Sequence, residues 1–144
     1  MATTVFTIIF FIALLQVAQS EADCSLCKGY LCAEQKAQCG PNGYLNAFGW
    51  KFCNVYSAPD LVATFNEKGK KSVFCIRDCL LQQTFSVINN STTFPYSTEE
   101  CTKLWKKEFE VFHPQCYHTC GFCKLSSKDV DEAFYNRLFG MFCK

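Results

Sequence analysis

Histidine is scarce in this sequence: 144 residues hold only His113 and His118. Nucleophilic catalysis needs a base beside the nucleophile, most often an imidazole, so few such dyads can be built here. His113 precedes Pro114 and reads as a polar residue at a helix break. His118 is followed by Thr119, so it lacks an adjacent carboxylate. An excess of one charge sign is missing too. Fourteen Lys and Arg face 13 Asp and Glu, for a net charge of +1, so no strong field draws nucleic acid or membrane. No apolar run after the N-terminus is long enough to cross a bilayer. The sequence has no P-loop, no dinucleotide fingerprint and no convincing period-2 strand. The expectation is a non-enzyme with no catalytic residue, no cofactor, no metal, no nucleic-acid partner and no membrane span.

What is abundant is cysteine and phenylalanine, with 12 Cys and 15 Phe. Met1–Ser20 reads as a removable secretory signal. Its apolar stretch, Val5 to Leu15, is too short for a membrane helix, and Ala18-Gln19-Ser20 supplies a small-x-small cleavage pattern. All the cysteines follow it, in what is expected to be one domain, residues 21–144. That density in a secreted chain indicates a disulfide scaffold, and the even count allows every sulfur to pair. The localisation expected is therefore secreted and extracellular.

The spacing of apolar residues is helical throughout. Cys24 to Ala37 reads as a short helix stopped by the turn cluster Gly40-Pro41-Asn42-Gly43. Tyr44, Phe48, Phe52 and Tyr56 recur every four residues, which puts four aromatics on one helix face. Core packing is expected of them, an aromatic binding surface being the functional alternative. A second long helix is expected from Gly69 to Ile88, with Val73, Ile76, Leu80, Thr84 and Val87 in one stripe. The polar stretch Asn89-Asn90-Ser91-Thr92-Thr93 reads as a loop holding two overlapping glycosylation sequons, at Asn89 and Asn90, of which crowding should leave one in use. Ser97-Thr98-Glu99-Glu100 is a capping box ahead of a helix carrying Cys101, Leu104, Trp105, Glu108, Phe109 and Phe112. His113-Pro114 is expected to interrupt it, and Gly121 to end the next turn. Ser126-Ser127-Lys128-Asp129 offers a further cap for a last helix with Val130, Ala133, Phe134, Arg137 and Leu138. The fold class is thus all-α and disulfide-rich.

Two cysteine pairs share one spacing, Cys75/Cys79 and Cys116/Cys120. Each pair lies on one helix face, one turn apart. In an antiparallel helix pair, contacting positions keep a nearly constant index sum. The pairs 75 with 120 and 79 with 116 share one sum, so Cys75–Cys120 and Cys79–Cys116 would form two parallel rungs across a helix hairpin. Each closes a loop of about 40 residues, worth roughly 3–4 kcal/mol in the loop-entropy model.

Other chemistry is poorly served. Cys116, His118, Cys120 and Cys123 could be zinc ligands, but secretion oxidises thiols, and no second Cys-x2-Cys stands at zinc-finger distance. His118 among cysteines invites comparison with the secreted phospholipases A2. Those need an Asp directly after the His and a Gly-rich calcium loop, both missing here. Glu99-Glu100 and Asp129/Asp131/Glu132 read as charges favourable to helix N-termini. Lys68-Gly69-Lys70-Lys71 and Lys103-Leu104-Trp105-Lys106-Lys107 read as solvated faces, with a glycosaminoglycan contact as the alternative.

Three stretches together resemble the stanniocalcins, secreted glycoprotein hormones. Phe65-Asn66-Glu67-Lys68-Gly69-Lys70 with Cys79 is similar to their F-x-x-x-G-K…C, Cys116-Tyr117 with Cys123 to their C-Y-x5-C, and Tyr135-Asn136-Arg137-Leu138 with Cys143 to their Y-N-R-L…C. They occur in order and cover most of the chain from Cys24 to Cys143. The resemblance implies an all-α fold and the pairs Cys24–Cys32, Cys27–Cys53, Cys39–Cys101 and Cys123–Cys143, along with Cys79–Cys116. Cys75 and Cys120 have no counterpart in the family. The function it implies is that of an extracellular signalling or regulatory ligand, which binds another extracellular or cell-surface protein. A homodimer is allowed, with no spare cysteine for a covalent one. Two other readings remain open. One is a carrier of a small apolar ligand, similar to insect odorant-binding proteins in its Cys75-x3-Cys79…Cys116 spacing. The other is a secreted defence or toxin-like effector.

Overall fold

The computed structural model describes residues 23–144, so the expected signal segment Met1–Ser20 lies outside the described residues. Among the described residues every regular element is a helix. Helix α1, Lys28–Ala37, buries Gly29, Tyr30, Ala33 and Ala37 on one stripe. It ends at Ala37 as expected but starts at Lys28 rather than at Cys24. Gln38 takes the left-handed conformation, φ 54°, and its N–H bonds the Glu34 carbonyl. A π-helical segment, Leu45–Trp50, leads into α2, Lys51–Tyr56. Gly49 is required in that segment, because a β-carbon there would press into the ring of Tyr30. Pro59 opens the short α3, Pro59–Ala63. Neither α2 nor α3 buries a residue fully.

Helix α4, Glu67–Asn90, is the central element and is longer at both ends than its apolar pattern predicts. At its start the Asn66 side chain accepts from Gly69 N–H at 3.0 Å. At its end Asn89 and Asn90 remain helical, so both sequons begin on a helix and not in a loop. Its stripe of Val73, Ile76, Leu80 and Thr84 is buried and continues through Ile88, with Val87 only half-buried.

The expected break at His113-Pro114 does not occur. Helix α5, Thr98–Lys107, a π segment, Glu108–Phe112, and α6, His113–Thr119, run on continuously. Proline in an α-helix clashes with the carbonyl four residues back and removes one hydrogen bond. The wider π turn just before Pro114 accommodates both. The capping box is formed, with Ser97 Oγ accepting from Glu100 N–H at 3.2 Å and Glu100 Oε2 from Ser97 N–H at 2.7 Å.

Ser126 and Asp129 form a turn and not a helix cap. Asp129 Oδ2 accepts from Ser126 N–H at 2.7 Å, and the helix starts later, capped by Asp131 on Phe134 N–H at 2.9 Å. This helix, α7, Glu132–Phe142, buries Phe134, Leu138 and Phe142, four residues apart. Ala133 and Arg137 lie on this helix as expected and are exposed, whereas Val130 precedes it.

Two apolar clusters result. One joins α1 and the first π segment to Leu81, Ile88 and Leu104. The other joins Phe65, Val73, Ile76 and Leu80 to Phe112, Tyr117, Phe122, Phe134, Leu138 and Phe142. Val87 and Phe109 pack against both, so α4 and the π segment beneath Phe109 weld the two halves. Each fully buried side chain of this size contributes about 1.5–3 kcal/mol.

Candidate functional site

All twelve cysteines are joined, in the pairs Cys24–Cys32, Cys27–Cys53, Cys39–Cys101, Cys75–Cys120, Cys79–Cys116 and Cys123–Cys143. None is left free. Cys75–Cys120 and Cys79–Cys116, with Cα separations of 5.6 and 5.8 Å, are the two rungs between antiparallel α4 and α6. Cys39–Cys101 fastens the end of α1 to the start of α5, and Cys123–Cys143 fastens the end of α7 to the short turn of 3₁₀-helix Phe122–Lys124. Cys116, Cys120 and Cys123 are therefore occupied, and His118 points outward, exposed.

His113 is not a polar break residue. It is 3 % exposed and stands in a ladder of rings along one helix face. Trp105 stacks near Phe109 (5.7 Å between centroids), Phe109 on His113 (5.2 Å, 4° between planes) and His113 near Tyr117 (6.2 Å). Tyr44, Phe48, Phe52 and Tyr56 make the facing ladder, with successive centroids 5.8, 4.5 and 5.6 Å apart. The ladders meet at Phe48, 4.5 Å from Phe109 and 5.6 Å from His113. Such aromatic pairs add about 0.5–1.5 kcal/mol each beyond area burial.

Beneath the ladders lies a buried polar knot. Glu108 has no exposed surface. Its Oε1 is 2.6 Å from Thr84 Oγ1, which is also 2.9 Å from the Leu80 carbonyl. The threonine has one proton, and the carbonyl can only accept. Both contacts are satisfied together when Glu108 is protonated and donates to Thr84. Burial pushes the Glu108 pKa up to about 7. Burial likewise lowers His113 to about 4, so its imidazole is neutral. Oε2 of Glu108 and the hydroxyl of Tyr44 have no hydrogen-bond partner. The desolvated phenols of Tyr30 and Tyr44 are held above their ordinary range. The sequence hint was a carboxylate in an apolar row, Glu108 standing between Leu104 and Phe112 at i+4 spacing.

Past Phe48 the facing ladder turns toward α7, where Tyr56 meets Phe134 at 5.0 Å. A half-enclosed cleft of about 50 Å³ opens there, walled by Tyr44, Phe48, Phe52 and Tyr56 on one side and by Ile76, Arg77, Tyr117 and Leu138 on the other. The expectation of core packing holds for Tyr44, which is buried, and for Phe48 and Tyr56, which are half-buried against the two clusters; all four rings of the row, Phe52 included, also line the cleft.

The sequon asparagines differ in surroundings. Asn89 Oδ1 accepts from Lys36 Nζ at 3.1 Å, whereas Asn90 lines an open groove with Val87, Tyr96 and Leu104. Both are exposed. In the basic clusters Lys103 pairs with Glu99 (2.6 Å), Lys70 with Glu67 (2.9 Å) and Lys68 with Asp129 (3.7 Å). Exposed pairs of this kind contribute little stability. Glu100 serves its capping box and Asp131 its cap. Asp129, held down to about 2 first by the Ser126 N–H and then by Asn66, latches the turn before α7 onto α4.

Among the described residues no helix is long and apolar enough to cross a membrane, and no group of three or more His, Cys, Asp or Glu is placed to hold a metal. Comparison with known proteins finds no matching family model, no matching curated protein and no matching solved structure.

Proposed function

We propose that this is a secreted, stanniocalcin-like glycoprotein that acts by binding another extracellular or cell-surface protein, as a signalling or regulatory ligand and not as a catalyst. The supporting observation is the disulfide set. Five of the six bonds are the pairs that the family pattern implies, and the sixth, Cys75–Cys120, is an added rung beside one of them. With its cysteines all joined, the molecule offers partners a fixed surface rather than reactive thiols. A rigid surface loses little conformational entropy on association, which favours binding. The carrier alternative receives less support. The cleft, at about 50 Å³, is far below the roughly 300–1,000 Å³ of pockets that swallow a drug-sized ligand.

The test is capture from extracellular fluid on the immobilised oxidised protein, with the reduced and alkylated chain as control. One protein retained in stoichiometric amount by the oxidised form alone supports the reading. Retention of a small apolar molecule with no protein contradicts it.

A further inference from the structure

We propose that the furrow between α4 and α5 is the seat of the chain's own glycan, with the first N-acetylglucosamine, carried on Asn90, lying back along α4 over Val87, Leu104 and the ring of Tyr96. This rests on the secreted-glycoprotein reading and adds to it where the sugar lies.

The furrow follows from two matching stripes. Gln83, Ser86, Val87 and Asn90 stand at i, i+3, i+4 and i+7 on α4, and Glu100, Lys103, Leu104 and Lys107 at the same intervals on α5. The two helices run antiparallel, and the stripes border an open groove of about 550 Å³, a size within the range of ligand-binding pockets. From Gln83 to Asn90 it extends about 10 Å, at 1.5 Å of rise per residue. Val87, Leu104 and Phe112 give it apolar surface. Tyr96 joins them from the connection between the helices. Its ring stacks near Phe94 (5.3 Å between centroids, 5° between planes), and its N–H donates to the Ala37 carbonyl at 2.9 Å, so the ring is already in place.

The border selects a neutral, amphipathic occupant. Lys103 pairs with Glu99 at 2.6 Å, Lys107 Nζ lies 5.4 Å from the centroid of Phe112, and Glu100 accepts from Ser97 N–H in its capping box. Each of these charges is thus answered within the chain, and none calls for an ionic ligand. The side chains of Gln83 and Ser86 hydrogen-bond no other described residue. A pyranose matches this mixture. Its C–H face and acetamido methyl bury against the apolar surface, and its hydroxyls pair with the amide and hydroxyl of the border.

Asn90 is what brings such a group here. It is the last residue of α4, exposed, and its side chain hydrogen-bonds no other described residue. A sugar it carries meets the groove at an effective concentration on the order of mM, whereas a free partner must first find it. Asn89 lies about 100° away around the helix. Its amide oxygen accepts from Lys36 of α1, so a sugar carried there would lie over α1 and not in the furrow.

The experiment secretes the full chain from eukaryotic cells with a ¹³C-labelled glycan, locates the glycan by peptide mapping, and trims it enzymatically to one N-acetylglucosamine. Nuclear Overhauser contacts are expected from the acetamido methyl and ring protons of the sugar to the Tyr96 ring and the Leu104 methyls. They are expected to be lost in Ser86→Trp, which fills the furrow from an exposed helix position and leaves Asn90 glycosylated. A secreted chain without any glycan would overturn the glycoprotein reading and the seat together. A sugar on Asn89, or one on Asn90 that lacks these contacts, would overturn the seat alone. So would contacts undiminished in Ser86→Trp.

Discussion

The Nδ1 of His113 lies 2.8 Å from the backbone carbonyl of Glu108, five residues earlier. The same carbonyl accepts the backbone N–H of His113, which is the i to i+5 bond of a π turn. A carbonyl can only accept, so Nδ1 carries the proton and the neutral tautomer is fixed. One widened turn therefore does three things. It carries the chain through Pro114, it turns Glu108 inward to Thr84, and it keeps His113 in line with Phe109.

These two buried groups set opposite pH dependences. Glu108, raised from 4.5 to about 7, prefers its neutral form when folded, so it costs stability increasingly as pH rises from 4.5 to 7. His113, lowered from 6.5 to about 4, also prefers its neutral form, so it costs stability as pH falls from 6.5 to 4. Each full effect is roughly 3 kcal/mol at ~1.4 kcal/mol per pKa unit. Between pH 4.5 and 6.5 the slopes cancel, and wild-type stability should be nearly flat. Glu108→Gln should leave stability that falls on acidification through this window, and His113→Phe stability that falls as pH rises. Urea midpoints of the three proteins at pH 4.5, 5.5 and 6.5 check this. Asp129 and Glu100, both lowered, lose their stabilisation only at lower pH and do not enter the window.

The two rungs should not be equivalent to two independent crosslinks. With Cys79–Cys116 closed, the second bond adds only four residues on each helix to the ring. Replacing Cys75 and Cys120 together by serine should cost about 2–3 kcal/mol, and replacing all four roughly 5–6 kcal/mol, on the loop-entropy estimate. Denaturant unfolding of both variants under oxidising conditions measures the difference.

Gly69 should tolerate no side chain. A β-carbon there would meet the Asp129 carbonyl, the acceptor of Asn66 N–H at 3.1 Å, as well as Val130. Gly69→Ala should destabilise by about 1–3 kcal/mol as an overpacked contact, despite alanine's better helix propensity. The exposed Gly140 is the control, since nothing lies near its β-position. Gly140→Ala should be neutral or stabilising in the same thermal melts.

One glycan is expected on chain produced through a eukaryotic secretory route. Asn90 opens on the groove, while the Asn89 side chain is engaged by Lys36. Intact mass should fall by one N-glycan in Asn90→Gln and not in Asn89→Gln.

Much of the architecture was legible because it follows from period and spacing. The i, i+4 cysteines placed both rungs, the capping box placed the start of α5, and the aromatic row placed one wall of the cleft. What escaped depends on non-local packing. A proline after histidine reads as a break unless the π turn is known, and that turn leaves no local composition signal. Glu108 stood in an apolar row, but its hydrogen-bond partner Thr84 is 24 residues away in sequence. Asp129 read as a helix cap because its bonds to Asn66 and Lys68, more than 60 residues earlier, tie a turn to the start of α4 and leave no local signal.

The account depends most on the twelve sulfurs being closed within one chain as ties between helices. Non-reducing proteolysis with thiol alkylation, read by mass spectrometry, tests this directly. The result expected is no alkylated cysteine and linked peptides joining Cys75 to Cys120 and Cys79 to Cys116. Free thiols at these four positions, or crossed or intermolecular pairs among them, would contradict it.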